Sequence, residues 1–195
     1  MKTIPHPLLK VSDLTSSRRM FLRDRSADAH ATLDKCVGPL DTHTSYRRYV
    51  SGISAFRLPL EAELRPIVWP ELFSGYTFQP LADLLVKDMS DLDLAAPQLL
   101  PRETSPLTFE GLVGTLYVLE GSALGSRLLY RRAEVLGMTA SFGARHLAVQ
   151  SAPSDQWRSF LTLLEAKPLD MELVLKSADA TFKAAEKAFA ILDAT

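Results

Sequence analysis

Apolar residues recur every three or four positions along most of this chain, the period of helices buried along one side. The first such segment runs from about Ser12 to Val37, with Leu22, Ser26, His30, Leu33 and Val37 on one face and Gly38-Pro39 as its stop. A second spans about Ser45 to Val68, striped by Tyr46, Tyr49, Ile53, Phe56, Leu60 and Leu64, and Pro59 should kink or split it. A shorter third covers about Pro80 to Met89. A fourth opens on Ser105-Pro106, an N-cap followed by a first-turn proline, and stops at Gly137. A fifth starts near Ser154, with Trp157, Phe160, Leu161 and Leu164 apolar, and the last runs from about Met171 to Leu192. No run alternates convincingly enough to be a strand. The pattern predicts an all-α, single-domain helical bundle over residues 1–195, with 1–11 irregular.

The fourth helix contains a conflict. Its stretch "LYVLEGSALGSRLLYRR", residues 116–132, carries Gly121 and Gly125, and Gly111 and Gly114 lie just upstream. Each glycine inside a helix costs about 0.5–1 kcal/mol relative to alanine. A Gly-x-x-x-Gly spacing has two readings. Either another helix packs closely there, or a flat ligand lies where side chains would hold it off.

Composition narrows the setting. The chain has 195 residues, 47% apolar and 23% charged, which suits one soluble domain. A net charge of −1 gives no global attraction to nucleic acid or to an anionic membrane. The lone Cys36 excludes an internal disulfide, and the N-terminus shows no signal-peptide pattern, so a cytoplasmic setting is expected.

Candidate chemistry is sparse. Four histidines (His6, His30, His43, His146) form no His-x-x-x-His pair, and no Glu-x-x-His appears. Dinucleotide and phosphate loops are absent, as is Gly-x-Ser-x-Gly. What remains is His30 on the inner stripe of the first helix, four residues before Asp34. It reads either as a satisfied core histidine or as an axial ligand to iron, with Asp34 orienting the ring.

Together these two helices resemble the haem oxygenase family. "LRDRSADAHATLD" (22–34) is similar to the proximal helix of the bacterial members, and "LYVLEGSALGS" (116–126) to their distal helix. "SYRRYVSGISAFRLPLEAEL" (45–64) resembles the second helix, and "SADATFKAAEKAF" (177–189) the final one, so the likeness covers nearly the whole chain in order. The resemblance implies that His30 ligates haem iron and that Gly121 and Gly125 let the distal helix bend against the porphyrin. Ser122 stands where the mammalian branch has an aspartate that organises water, and Ser126 replaces the second residue of a Gly-Gly pair. Arg23 occupies the place of a basic residue that pairs with a haem propionate. Tyr117, Arg127, Arg131 and Arg158 are further candidates for that contact.

The activity so implied is oxidative opening of haem, substrate and cofactor at once, with dioxygen as co-substrate. The products are biliverdin, carbon monoxide and ferrous iron. With no nicotinamide or flavin motif, electrons must come from a ferredoxin or another external reductase. The purpose is either iron acquisition or chromophore supply to a bacteriophytochrome. Two other readings stay open: a haem carrier or sensor without turnover, and a haem-free helical interaction module.

Overall fold

The computed structural model describes residues 11–98, 108–166 and 168–193. Nine α-helices lie among them: α1 Val11–Arg25, α2 Ala27–Val37, α3 His43–Leu64, α4 Ala82–Asp91, α5 Phe109–Gly121, α6 Ala123–Val135, α7 Arg145–Ser151, α8 Gln156–Ala166 and α9 Met171–Ala190. A 3-10 turn at Glu71–Phe73 follows α3, and no strand forms among the described residues beyond isolated bridges at Thr139. The all-α expectation holds. None of these helices is long and apolar enough to cross a membrane.

Two of the predicted segments are each two helices. The first breaks at Ser26, whose buried hydroxyl donates to the Leu22 carbonyl at 2.7 Å and competes with the regular ladder. The fourth breaks at Ser122, between α5 and α6. Pro59, by contrast, does not split α3, which runs unbroken through it. A capping box fixes the start of α3: Thr42 Oγ1 accepts from Ser45 N at 3.1 Å and Ser45 Oγ accepts from Thr42 N at 3.0 Å. Gly38, at φ +69°, terminates α2 as its sequence position predicts. Ser105 and Pro106 lie outside the described residues, as do residues 1–10. The described start of α5 is capped by Thr108, which accepts from Gly111 N at 3.1 Å. The short α7 and the 3-10 turn had no sequence expectation.

The last helix, α9, is the spine: α5, α3 and α2 all pack on it. The main core gathers Phe56, Leu60, Leu116, Leu119, Phe160 and Leu164 between α3, α5 and α8. A second core, around Tyr46, Tyr49, Met89, Leu147 and Phe189, joins α3, α4, α7 and the end of α9. The approach of α5 to α9 is unusually close because of Gly114. A Cβ there would overlap the Val174 carbonyl oxygen and stand 2.7 Å from Ser177 Cβ and 2.9 Å from Ala178 N. Neighbouring hydroxyls stitch the same seam, with Ser177 Oγ donating to the Gly111 carbonyl at 2.7 Å.

Buried ionic groups brace the second core. Asp88, fully buried, accepts from Arg145 N at 2.9 Å, His146 N at 3.0 Å and His146 Nδ1 at 2.7 Å. Burial raises the Asp88 carboxyl, but the hydrogen bonds from His146 and Arg145 overcome this and hold it below the usual carboxylate value. Burial lowers His146, and Asp88 only partly offsets it.

Two predictions follow from this packing. Gly114→Ala gains about 1 kcal/mol of helix propensity but meets backbone that cannot rotate away, so overpacking of about 1–3 kcal/mol wins. Its apo-protein should melt several degrees below wild type, and an unchanged Tm would mean that α5 and α9 slide apart freely.

The second concerns pH. His146 has a folded-state pKa below 6.5, so the unfolded chain takes up its proton first and stability is lost as pH falls below that value. Buried Glu120, with a raised pKa, acts in the opposite sense and gains relative stability on acidification. The informative quantity is therefore a difference. His146→Asn keeps a donor for Asp88 without titrating, and its Tm should fall less than that of wild type between pH 7.5 and 5. Parallel profiles would remove His146 as an acid-sensitive group.

Candidate functional site

The site grows from the meeting of α2, α5 and α9. Val118, Ala178 and Phe182 form a small buried cluster, against which Ala29, Leu33 and Tyr117 pack. His30 adjoins Ala29, and Gly121 lies within one turn of Tyr117 and Val118, so both sit at the margin of one cluster.

His30 does not face the core, contrary to the sequence expectation. Its side chain is 64% exposed, and α2 contains no buried residue. The inner stripe continues past Ser26 through Ala29, Leu33 and Val37, and His30 stands at its edge, where the described side chains leave it largely uncovered. The imidazole meets the edge of Phe182, with ring centroids 6.1 Å apart. Its Nδ1 lies 3.2 Å from Asp34 Oδ2, the orienting contact expected from the four-residue spacing, and this leaves Nε2 as the nitrogen for a ligand.

The glycines sort into two kinds. Gly114 is filled by α9, whereas a Cβ on Gly121 would meet only Trp157, at 4.0 Å, and one on Gly125 would meet nothing within 4 Å. Helix–helix packing therefore does not explain the Gly121/Gly125 pair. With Leu124 and Leu128 they form an i, i+3, i+4, i+7 stripe on one side of the helix. Both leucines are open to solvent, at 62% and 56%. An apolar helix stripe with no side chain at two of its four positions is a surface for something flat.

Ser122 marks the interruption. Its Oγ donates to the Leu119 carbonyl at 2.6 Å and accepts from Gln150 Nε2 at 2.7 Å. The Gly125 amide reaches back only three residues, to the Ser122 carbonyl at 3.3 Å. Ser126 is buried and bonds back to the Ala123 carbonyl at 2.7 Å, so it does not crowd the open stripe.

The basic candidates divide. Arg23 is exposed and pairs with Asp24 at 3.0 Å, close enough to Tyr117 to favour that phenol's ionised form. Tyr117 is half-buried and raised in pKa by burial, with the neighbouring Ser26 side chain partly countering this. Arg127 Nε donates to the Ser151 carbonyl at 3.3 Å, which ties α6 to the end of α7. Arg158 pairs with Asp155 at 2.8 Å, and Arg131 is exposed. The structure does not gather these arginines into one group.

Sequence reasoning missed a polar network behind the stripe. Tyr76 donates to Glu120 Oε1 at 2.5 Å, and Arg57 Nε lies 2.6 Å from Glu61 Oε1. Glu61 Oε2 accepts from Leu81 N at 2.8 Å and Ala82 N at 2.7 Å at the start of α4. Burial raises the Glu120 carboxyl, partly countered by Tyr76 and Arg57. The available signal was Arg57 and Glu61 at i, i+4 inside an apolar run, and Glu120 directly before Gly121.

Comparison with known proteins decides the family. No family model matches the chain. It is 30% identical over 163 residues to heme oxygenase PigA of Pseudomonas aeruginosa, with 82% of each chain covered. The chain belongs to the haem oxygenase family. Its fold also superposes on the NO- and CO-bound heme oxygenase of Neisseria meningitidis at a TM-score of 0.63, with 22% identity, over 89% of this chain and 92% of that one.

A haem oxygenase stripe that is open, not packed, makes a direct prediction. Gly125→Leu should leave the apo-protein as stable as wild type or up to about 1 kcal/mol more stable, because leucine is the better helix former. It should also weaken haem uptake strongly. A large fall in apo-protein Tm would instead assign Gly125 to packing.

Proposed function

We propose that this protein binds haem between α2 and α6 and opens it to biliverdin, carbon monoxide and ferrous iron. The observation that carries the reading is the apolar stripe bare of side chains at Gly121 and Gly125, flanking the cluster from which His30 projects, in a chain of this family.

The residues present fit the group. A flat, largely apolar ring suits a helix face with no Cβ at two positions, and an exposed imidazole oriented by a carboxylate suits an axial ligand. Haem, when bound, supplies the iron that activates dioxygen and the macrocycle that is oxidised. The chain's own residues then have distinct tasks. His30 would offer its Nε2, with Asp34 holding the ring by Nδ1. Gly121 and Gly125 would admit the ring against the helix, and Leu124 and Leu128 would supply apolar contact to it. Phe182 limits rotation of His30 from below. Arg23 of α1 and Tyr117 of α5, close enough to interact electrostatically, would hold a propionate. Electrons come from an external donor such as a ferredoxin or a reductase.

The test is reconstitution with ferric haem. Wild type should show a histidine-ligated spectrum and, on addition of reduced ferredoxin or ascorbate under oxygen, a biliverdin band. His30→Ala should lose the histidine signature with its helical content intact. An unchanged spectrum in that variant would transfer the ligand role to another histidine and defeat the assignment.

A further inference from the structure

The hydroxyl of Ser122 has one hydrogen, and it is committed. A backbone carbonyl can only accept, so the 2.6 Å contact to Leu119 O uses that hydrogen. The 2.7 Å contact to Gln150 must then be an N–H donated to Ser122 Oγ, which fixes the amide orientation by chemistry. Ser122 thus cannot donate to anything at the stripe. Gln150 can. It makes no other hydrogen bond among the described residues, so its second amide N–H is uncommitted.

Its position suits that role. At 100° per residue, Ser122 lies beside the Gly121/Gly125 stripe, on the flank that Ser126 buries, so Gln150 stands at the edge of the open face. The helix that carries it is held at both ends. Asp88 accepts the first two amides of α7, and Arg127 of α6 grips the Ser151 carbonyl next to Gln150. A side chain so anchored presents its donor at a fixed place.

We propose that Gln150 is a positioning residue of this site. Its free amide N–H holds the water or anion above the haem face that Ser122, in the place of an acid, cannot. This rests on the haem-oxygenase reading. An amide neither gives nor takes a proton in this role. It orients the water that does, and Ser122 serves as its peg.

Fluoride tests this without turnover, because it accepts hydrogen bonds and donates none. Fluoride affinity of the ferric haem protein is read by titration in wild type, Gln150→Met and Gln150→Glu. Methionine keeps the length and glutamate the shape, and neither has the N–H. Both variants should bind fluoride about tenfold more weakly, the loss expected for one hydrogen bond to an anion. Haem affinity and the histidine signature should not change, a combination that a merely structural role would not give. Ser122→Ala should weaken fluoride less, and the double variant Ser122→Ala with Gln150→Met no further than Gln150→Met alone. If wild type takes up haem with its His30 signature and both variants bind fluoride as wild type does, the Gln150 assignment is overturned alone. If wild type takes up no haem, the reading beneath it falls, and the assignment with it.

Discussion

At Gly114 the backbone of α5 rides directly on the Val174 carbonyl and the Ala178 amide of α9, with no room for a single carbon between them. That contact sets where α5 stands, and the site inherits its dimensions. Because α5 is so close, Val118 meets Ala178 and Phe182, and the cluster they form is where Ala29 and Leu33 of α2 dock. Phe182 in turn limits the His30 ring. A side chain at Gly114 would move the helix end that presents Gly121. Glycine therefore does two opposite things on one helix axis: at Gly114 it removes space, and at Gly121 and Gly125 it leaves space open.

An open stripe needs a rigid back. The side of α5 away from solvent ends in Glu120, buried and hydrogen-bonded to Tyr76, with Arg57 near enough to favour its charge. Arg57 and Glu61 are both buried, and Glu61 also caps α4 through two amides, where a carboxylate is favoured by the helix dipole. Buried ion pairs of this kind stabilise little in net terms compared with apolar packing. Their effect is directional. Each fixes one rotation and one distance, which greasy contacts alone leave looser, and all of them lie behind the element that must stay bent.

Much of this was legible in the chain. The helical period located most elements, Gly38-Pro39 marked a real end, and the Gly-x-x-x-Gly spacing singled out a stripe that no neighbouring helix among the described residues fills. The spacing could not say which of its two readings held, because that depends on whether a neighbour lies over it. The break at Ser26 was invisible for a physical reason: a serine back-bonded to a carbonyl four residues earlier has the same letter as one that is solvated. Beyond it Ala29, Leu33 and Val37 still face inward, and His30 lies at the margin of that stripe with its side chain exposed. Pro59 did not split α3, which runs continuously through it. The short α7 carries too few residues to show a period, although it delivers both His146 to the core and Gln150 to the site edge.

Two back-bonded serines, Ser122 at the α5–α6 break and Ser126 in α6, lie beside the bare outer face. Ser122 and Ser126 each satisfy a carbonyl three residues upstream. A side-chain donor on a carbonyl weakens the ladder bond it competes with and lets the axis turn. The interruption at Ser122 thus coincides with a hydroxyl that bonds back to the helix's own backbone. What the apo-protein lacks is cover, because Leu124 and Leu128 stand in water. Burying about 100 Å² of such surface is worth roughly 2.5 kcal/mol at 25 cal/mol per Å². A ligand that binds only the folded state adds stability with its concentration. The stripe is shaped by the fold itself, and the same glycines leave the helices intact and the stripe exposed.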